Sequence, residues 1–267
     1  MSNIRHFEFD RPIQNQQPAF NIEKIFPDFS IKSFTFIITV SQIAIYLVTL
    51  GFSLSAEPTI CTLYAFGAKY TPSIVLKGQV WRLVLPILLH ANTLHILFNA
   101  FFQLRIGFAV EKYYQTYKFI LIYIISGIGG NIFSAYWDSQ NVSVGASTSL
   151  FGVFANFGCY YAYNWHKFGP GRDFNLLVYA IIVAISFGSA YDTPNIDIAG
   201  HIGGFISGSL LGFALIPREE SERRWCYIIY GSFIGVIIYF TVLALMVFNM
   251  EFPICEQYIC DPCSGTK

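Results

Sequence analysis

An all-α, polytopic transmembrane helix bundle is the fold class this 267-residue chain predicts, on three observations. Its residues are 54% hydrophobic and only 12% charged, against about 25% charged in a typical soluble domain. The apolar residues fall into seven segments separated by polar turns. Tyr and Trp gather near the ends of those segments, where amphipathic rings sit at a membrane surface. Mean hydropathy is +0.51 and the formal net charge is zero, so no nucleic-acid partner is indicated.

Taken in order, residues 1–32 read as a polar cytoplasmic tail carrying Pro12, Pro18 and Pro27. No apolar stretch precedes a small-residue cleavage site there, so the tail is not a signal peptide. Residues 33–216 form the core, with a first span at 34–54. The segment 55–94, with Cys61, Trp81, Arg82, Pro86 and His90, is amphipathic and reads as a structured loop lying partly in the interface. Further spans follow at 95–110, 117–136, 147–163, 174–189 and 196–216. The fourth, 147–163, is short for a crossing of ~20 residues. Residues 217–249 hold a charged cytoplasmic turn and a seventh span at 226–248, and 250–267 form a cysteine-containing tail.

With the N-terminus cytoplasmic, twelve of the Lys and Arg residues fall on that side and four (Lys69, Lys77, Arg82, Lys267) on the other. This is the bias expected of cytoplasmic loops. Seven spans place the C-terminus in the lumen or outside the cell. Cys61, Cys255, Cys260 and Cys263 then share an oxidising compartment, where one or two disulfides are expected with the pairing open.

Two polar residues stand inside the most apolar segments, each among glycines. Ser147 follows Gly145-Ala146 at the start of the fourth span, and His201 lies in Gly200-His201-Ile202-Gly203-Gly204 of the sixth. Small residues let two helices approach closely. Gly200, Gly204, Gly208 and Gly212 recur every four residues and form the stripe on which span four can pack. A hydroxyl that meets an imidazole is equipped for nucleophilic hydrolysis. Val144-Gly145-Ala146 reads as a flexible approach to the serine, and Phe151, one turn on, can stack on the imidazole. His95 and Asn99 lie four residues apart on one face of span two. Beside the Ser147 N–H at a helix N-terminus, they would complete an oxyanion hole. Asp197 precedes His201 by four residues and reads as a helix cap, not a catalytic acid. His90 and Asn92 read as loop-ordering hydrogen-bond groups, Arg82 and Glu111 as framework anchors, and Ser149 as a serine facing away from Ser147.

These motifs together, from His95-Ile96-Leu97-Phe98-Asn99 through Gly145-Ala146-Ser147 and Gly152 to Gly200-His201 with Gly204 and Gly208, resemble the rhomboid intramembrane serine proteases. Trp81-Arg82 and Gly107-Phe108-Ala109-Val110-Glu111 also match that pattern. The resemblance covers residues 34–216 and implies a Ser147/His201 dyad with an oxyanion hole from His95, Asn99 and the Ser147 amide. It implies a rhomboid-like six-helix core plus a C-terminal seventh helix, as in the secretory-pathway branch (Golgi or plasma membrane). Its substrates would be single-pass transmembrane proteins within the lipid bilayer. Two departures stand out: Thr148 where many members have glycine, and Gly200 where alanine is usual.

No metal or organic cofactor is implied, since no cluster has ligand spacing. The alternative reading is a catalytically inactive rhomboid-like scaffold that binds client transmembrane helices; retention of both serine and histidine favours the enzyme. A transporter would be expected to show paired halves, and no such internal repeat is present.

Overall fold

The computed structural model describes residues 22–191, 196–217 and 223–252. Cys255, Cys260 and Cys263, most of the N-terminal tail and Arg218 lie outside the described residues. Among the described residues the regular structure is helical apart from one isolated bridge, with α1 at Ile22–Ile25, α2 at Phe34–Ser53, α3 at Ile60–Ala65 and α4 at Thr71–Lys77. The remainder are α5 (Thr93–Tyr114), α6 (Thr116–Trp137), α7 (Ser147–Tyr163), α8 (Arg172–Tyr191), α9 (Ile198–Ala214) and α10 (Arg223–Phe248). Helices α2, α5, α6 and α10 are each long and apolar enough to cross a bilayer, and α9 is a shorter apolar helix. Ile37, Leu47 and Phe52 of α2 and Ile237 and Leu245 of α10 project outward, as lipid-facing residues do.

Capping explains where the helices start. Ser33 Oγ accepts from the Phe36 N–H at the head of α2. The Glu111 carboxylate, from the far end of α5, takes the Phe34 and Thr35 N–H groups at 2.9 Å each. Hydroxyls of Thr35 and Thr116 also donate to Glu111, so one buried carboxylate ties together the ends of α2, α5 and α6. Asn92 Oδ1 accepts from His95 N at 2.8 Å, so α5 begins two residues before the expected start at 95.

The segment 55–94 is compact. It holds α3, α4 and two 3-10 turns, Val80–Leu83 and Leu85–Leu88. Arg82 is its hub: Nη1 donates to the carbonyls of Tyr64 (2.7 Å) and Ala68 (2.9 Å), and the guanidinium lies over the Tyr64 ring. Cys61 in α3 is disulfide-bonded.

Between α2, α5 and α6 lies a buried polar network. Gln103 Nε2 donates to Thr39 Oγ1 and Gln42 Oε1, Gln42 Nε2 donates to the Tyr123 hydroxyl and the Ile87 carbonyl, and Tyr123 donates to Gln103 Oε1. The apolar core follows from this frame, with Val110, Tyr114, Phe119, Ile122, Val153 and Leu211 packed between α5, α6, α7 and α9.

Glycine sets the separation of α9 from its neighbours. A Cβ on Gly204 would lie 2.1 Å from the Thr148 carbonyl oxygen, and one on Gly208 would lie 2.3 Å from Gly152 Cα. The stripe read from the sequence therefore packs on α7. The adjacent face, through Gly203, meets Phe133 and the Gly129 carbonyl of α6. Tyr239 of α10 donates to the carbonyls of Gly129 and Gly203, joining the last helix to that seam.

Candidate active site

Helix α7 starts at Ser147, two residues past Gly145, whose φ of +140° is a non-helical conformation that L side chains rarely adopt. Its N–H donates to the Pro86 carbonyl at 2.9 Å, and a Cβ there would meet His95 Nε2 at 2.8 Å. The approach to the serine is therefore pinned and filled, not flexible as its glycine suggested. No side chain caps α7 at Ala146, so the N–H groups of its first turn face the site.

Helix α9 begins at a cap. Asp197 Oδ1 accepts from Gly200 N at 2.7 Å and its carbonyl accepts from His201 N at 3.1 Å. One turn inside, His201 is buried, with Nε2 2.9 Å from Ser147 Oγ. The Phe151 ring stacks on the imidazole, with centroids 4.3 Å apart and planes inclined by 20°. His201 Nδ1 has no hydrogen-bond partner, and the Asp197 carboxylate is committed to Gly200 and Ser134. Among the described residues, hydroxyl and imidazole thus form a pair with no carboxylate behind it.

The other side of Ser147 is occupied by α5. His95 places its ring against Gly145, and Asn99, one turn further on, is buried with Nδ2 lacking any partner. A buried amide donor without an acceptor is costly in a finished fold. Gly200 and Gly204 line the α7 contact on the histidine side. Ser149 points elsewhere: its Oγ lies 2.2 Å from a Cβ position on Gly127 of α6.

Thr148 and Gly200, the two departures noted in the sequence, prove to be neighbours. A Cβ at Gly200 would come within 3.0 Å of Thr148 Cγ2. The glycine leaves room for the threonine, so the two changes compensate in packing.

Sequence reading missed two residues near this site, Lys69 and Ser134. It expected His90 to order the loop by hydrogen bonds; instead the ring packs edge-on against His95, centroids 5.1 Å apart, with neither ring nitrogen hydrogen-bonded. Lys69 is fully buried, and Ser134 donates to Asp197 at 2.6 Å. Nothing in the local sequence around Lys69 separates it from a solvated loop cation.

The Rhomboid domain matches residues 77–218 of this chain. Rhomboid-like protease 1 of Toxoplasma gondii is 35% identical over 221 residues, covering 81% of this chain and 75% of its own length. The chain belongs to the rhomboid family. Rhomboid-like protease 3 of the same organism is 32% identical, covering 78% of this chain and 79% of itself. The rhomboid protease GluP of Bacillus subtilis is 38% identical over 158 residues, 59% of this chain and 30% of its own. This rhomboid is accordingly a multi-pass integral membrane protein and an enzyme of the serine-protease kind.

Proposed function

We propose that this rhomboid hydrolyses peptide bonds in or near the transmembrane segments of single-pass membrane proteins through a Ser147/His201 dyad. Ser147 Oγ attacks the scissile carbonyl as its proton passes to His201 Nε2, and the imidazolium returns that proton to the leaving amine. Water then attacks the acyl carbon as its proton passes to His201; the acyl C–Oγ bond breaks, His201 returns the proton to Ser147 Oγ, and the acid product leaves. The oxyanion of each tetrahedral intermediate is received by the Ser147 N–H, Asn99 Nδ2 and His95. The single observation that carries this reading is the 2.9 Å contact between Ser147 Oγ and His201 Nε2, across helices 54 residues apart in sequence.

The remaining expectations belong to the same proposal. Helices α2, α5, α6, α7, α8 and α9 make a six-span core (33–216), and residues 217–249 hold a cytoplasmic turn and α10 as the seventh span. The N-terminus (1–32) is cytoplasmic and the tail (250–267) lumenal or extracellular, in the secretory pathway. The disulfide at Cys61 supports an oxidising environment on the α3 side, since such bonds are rare in the cytosol. Helix α7 has 17 residues, about 26 Å at the rise of an α-helix, against ~30 Å of hydrocarbon. Ser147 at its head therefore sits beneath the membrane surface, within reach of water and of a substrate helix end.

The test is cleavage of a single-pass substrate in liposomes, with Ser147→Ala and His201→Ala in parallel. Both variants are expected to give no product; cleavage by the Ser147→Ala protein at the wild-type rate would overturn the mechanism. Stoichiometric client binding with no cleavage by the wild type would establish the scaffold reading instead.

A further inference from the structure

We propose that a cavity between the C-terminal ends of α5 and α7 binds the phosphocholine headgroup of a phosphatidylcholine from the surrounding leaflet. It lies about 20 Å along α7 from Ser147, at the rise of an α-helix, and shares no residue with the Ser147/His201 reading.

The cavity measures about 290 Å³, and its lining includes Asp28, Lys112, Tyr113, Phe157 and Tyr160. Tyr113 and Tyr160 stand in the last turns of α5 and α7, with ring centroids 4.3 Å apart and planes inclined by 69°. Asn164, at the end of α7, holds this corner: Nδ2 donates to the Tyr113 hydroxyl at 3.0 Å and to the Tyr160 carbonyl at 2.9 Å. Phe157 adds a third ring, 6.3 Å from that of Tyr160. On the rim, Lys112 donates to the Asp28 carboxylate, and the two side chains are 70% and 34% exposed. Asp28 lies in the link between α1 and α2 with φ +61°, in the left-handed region.

Aromatic faces are negative and draw cations, quaternary ammonium groups above all. Two helix C-termini meet at the same place, each carrying partial negative charge. The cavity therefore favours a cation between its rings, and Asp28 adds a full charge at the mouth. A trimethylammonium group suits such walls because it has no N–H to leave unpaired when it enters them. Lys112 then receives the phosphate. An exposed ion pair such as Lys112–Asp28 is worth little by itself, so a zwitterion exchanges it for two pairs of the same kind. Position selects a lipid: α5 and α6, each long and apolar enough to cross a bilayer, meet at Gln115, which sets the cavity at headgroup level. Its volume falls just below the roughly 300–1,000 Å³ of drug-sized sites, which fits a headgroup whose chains stay in the leaflet.

The experiment titrates the full chain in maltoside micelles with short-chain phosphatidylcholine, read by native mass spectrometry and by thermal unfolding. One saturable adduct and a raised unfolding midpoint are expected. Tyr160→Leu should weaken binding roughly 5- to 30-fold, the scale of a lost cation–π contact, while Tyr160→Phe keeps the ring and binds as the wild type does. Asp28→Asn should weaken it roughly 2- to 5-fold, as for one exposed charge; asparagine tolerates left-handed backbone, so this change reports the charge. Phosphatidylglycerol or phosphatidylethanolamine of the same chain length binding as tightly as phosphatidylcholine would overturn the proposal. So would wild-type affinity in Tyr160→Leu, and free choline matching the lipid would overturn the lipid assignment. If Tyr160→Leu does not fold, Asp28→Asn on the exposed rim carries the test, and unchanged affinity there is equally fatal. The same titration on Ser147→Ala protein is expected to match the wild type, so failure of the proteolytic mechanism and failure of this site are read separately.

Discussion

Gly204→Ala adds one methyl group at the seam between α7 and α9, and its cost follows from two contacts. The new Cβ would lie 2.1 Å from the Thr148 carbonyl oxygen and 3.0 Å from the carbonyl carbon. The nearer contact is about 1.3 Å short of the 3.4 Å where ordinary van der Waals contact begins. Both atoms are backbone, so no rotamer change relieves the clash; α7 and α9 must separate. Thr148 adjoins Ser147, and His201 lies three residues before Gly204, so the separation passes directly into the 2.9 Å contact. Stretched to about 4 Å, that contact is no longer a hydrogen bond, and a displacement near 1 Å is worth roughly 10²-fold in rate. Overpacking also destabilises by ~1–3 kcal/mol. The assay is initial cleavage rate in liposomes with thermal unfolding of the same preparation. Gly231→Ala in α10 is the control, because its Cβ would meet nothing within 4 Å. A Gly204→Ala enzyme within twofold of wild type, with Gly231→Ala equally active, would refute the close-contact reasoning.

Three further outcomes are expected. Asn99→Ala should slow turnover by ~10²–10³ through loss of an oxyanion donor, with KM little changed; an unaffected kcat would leave Asn99 as a packing residue. Ser149→Ala should retain full activity and equal or greater thermal stability, because it removes a buried hydroxyl that has no partner. Cys61→Ser should lower the unfolding midpoint, by the equivalent of ~2–4 kcal/mol for a lost disulfide, without changing kcat measured well below that midpoint.

Hydropathy and glycine spacing made much of this molecule legible. The bounds of α2 and α7 follow from where apolar runs meet Ser33 and Gly145, and the Gly200–Gly212 stripe announces a close helix contact. The cap at Asp197 is legible for the same local reason. Residues 55–94 are legible only as an amphipathic whole, because α3 and α4 are six and seven residues long, too short to show a helical period. Their order comes from Arg82 reaching back to Tyr64 and Ala68, a pattern without a local signature. Lys69 shows the limit plainly. It counts as a loop cation in any charge tally, yet it is buried, its ammonium donating to the Asp138 carbonyl 69 positions later in the chain. Long-range compensation also explains Thr148 and Gly200, each of which departs from the family pattern alone and is ordinary when both are placed together.

The network of Gln42, Gln103, Tyr123 and Thr39 bears on how such a bundle finds its assembly. In hydrocarbon, turning a helix about its own axis exchanges one oily neighbour for another, so greasy side chains discriminate weakly between correct and mistaken mating. An amide rotated out of this ring would confront lipid with its dipole unanswered. The four residues thus act as the teeth of a key: three helices seat together at one rotation, and other rotations leave teeth exposed.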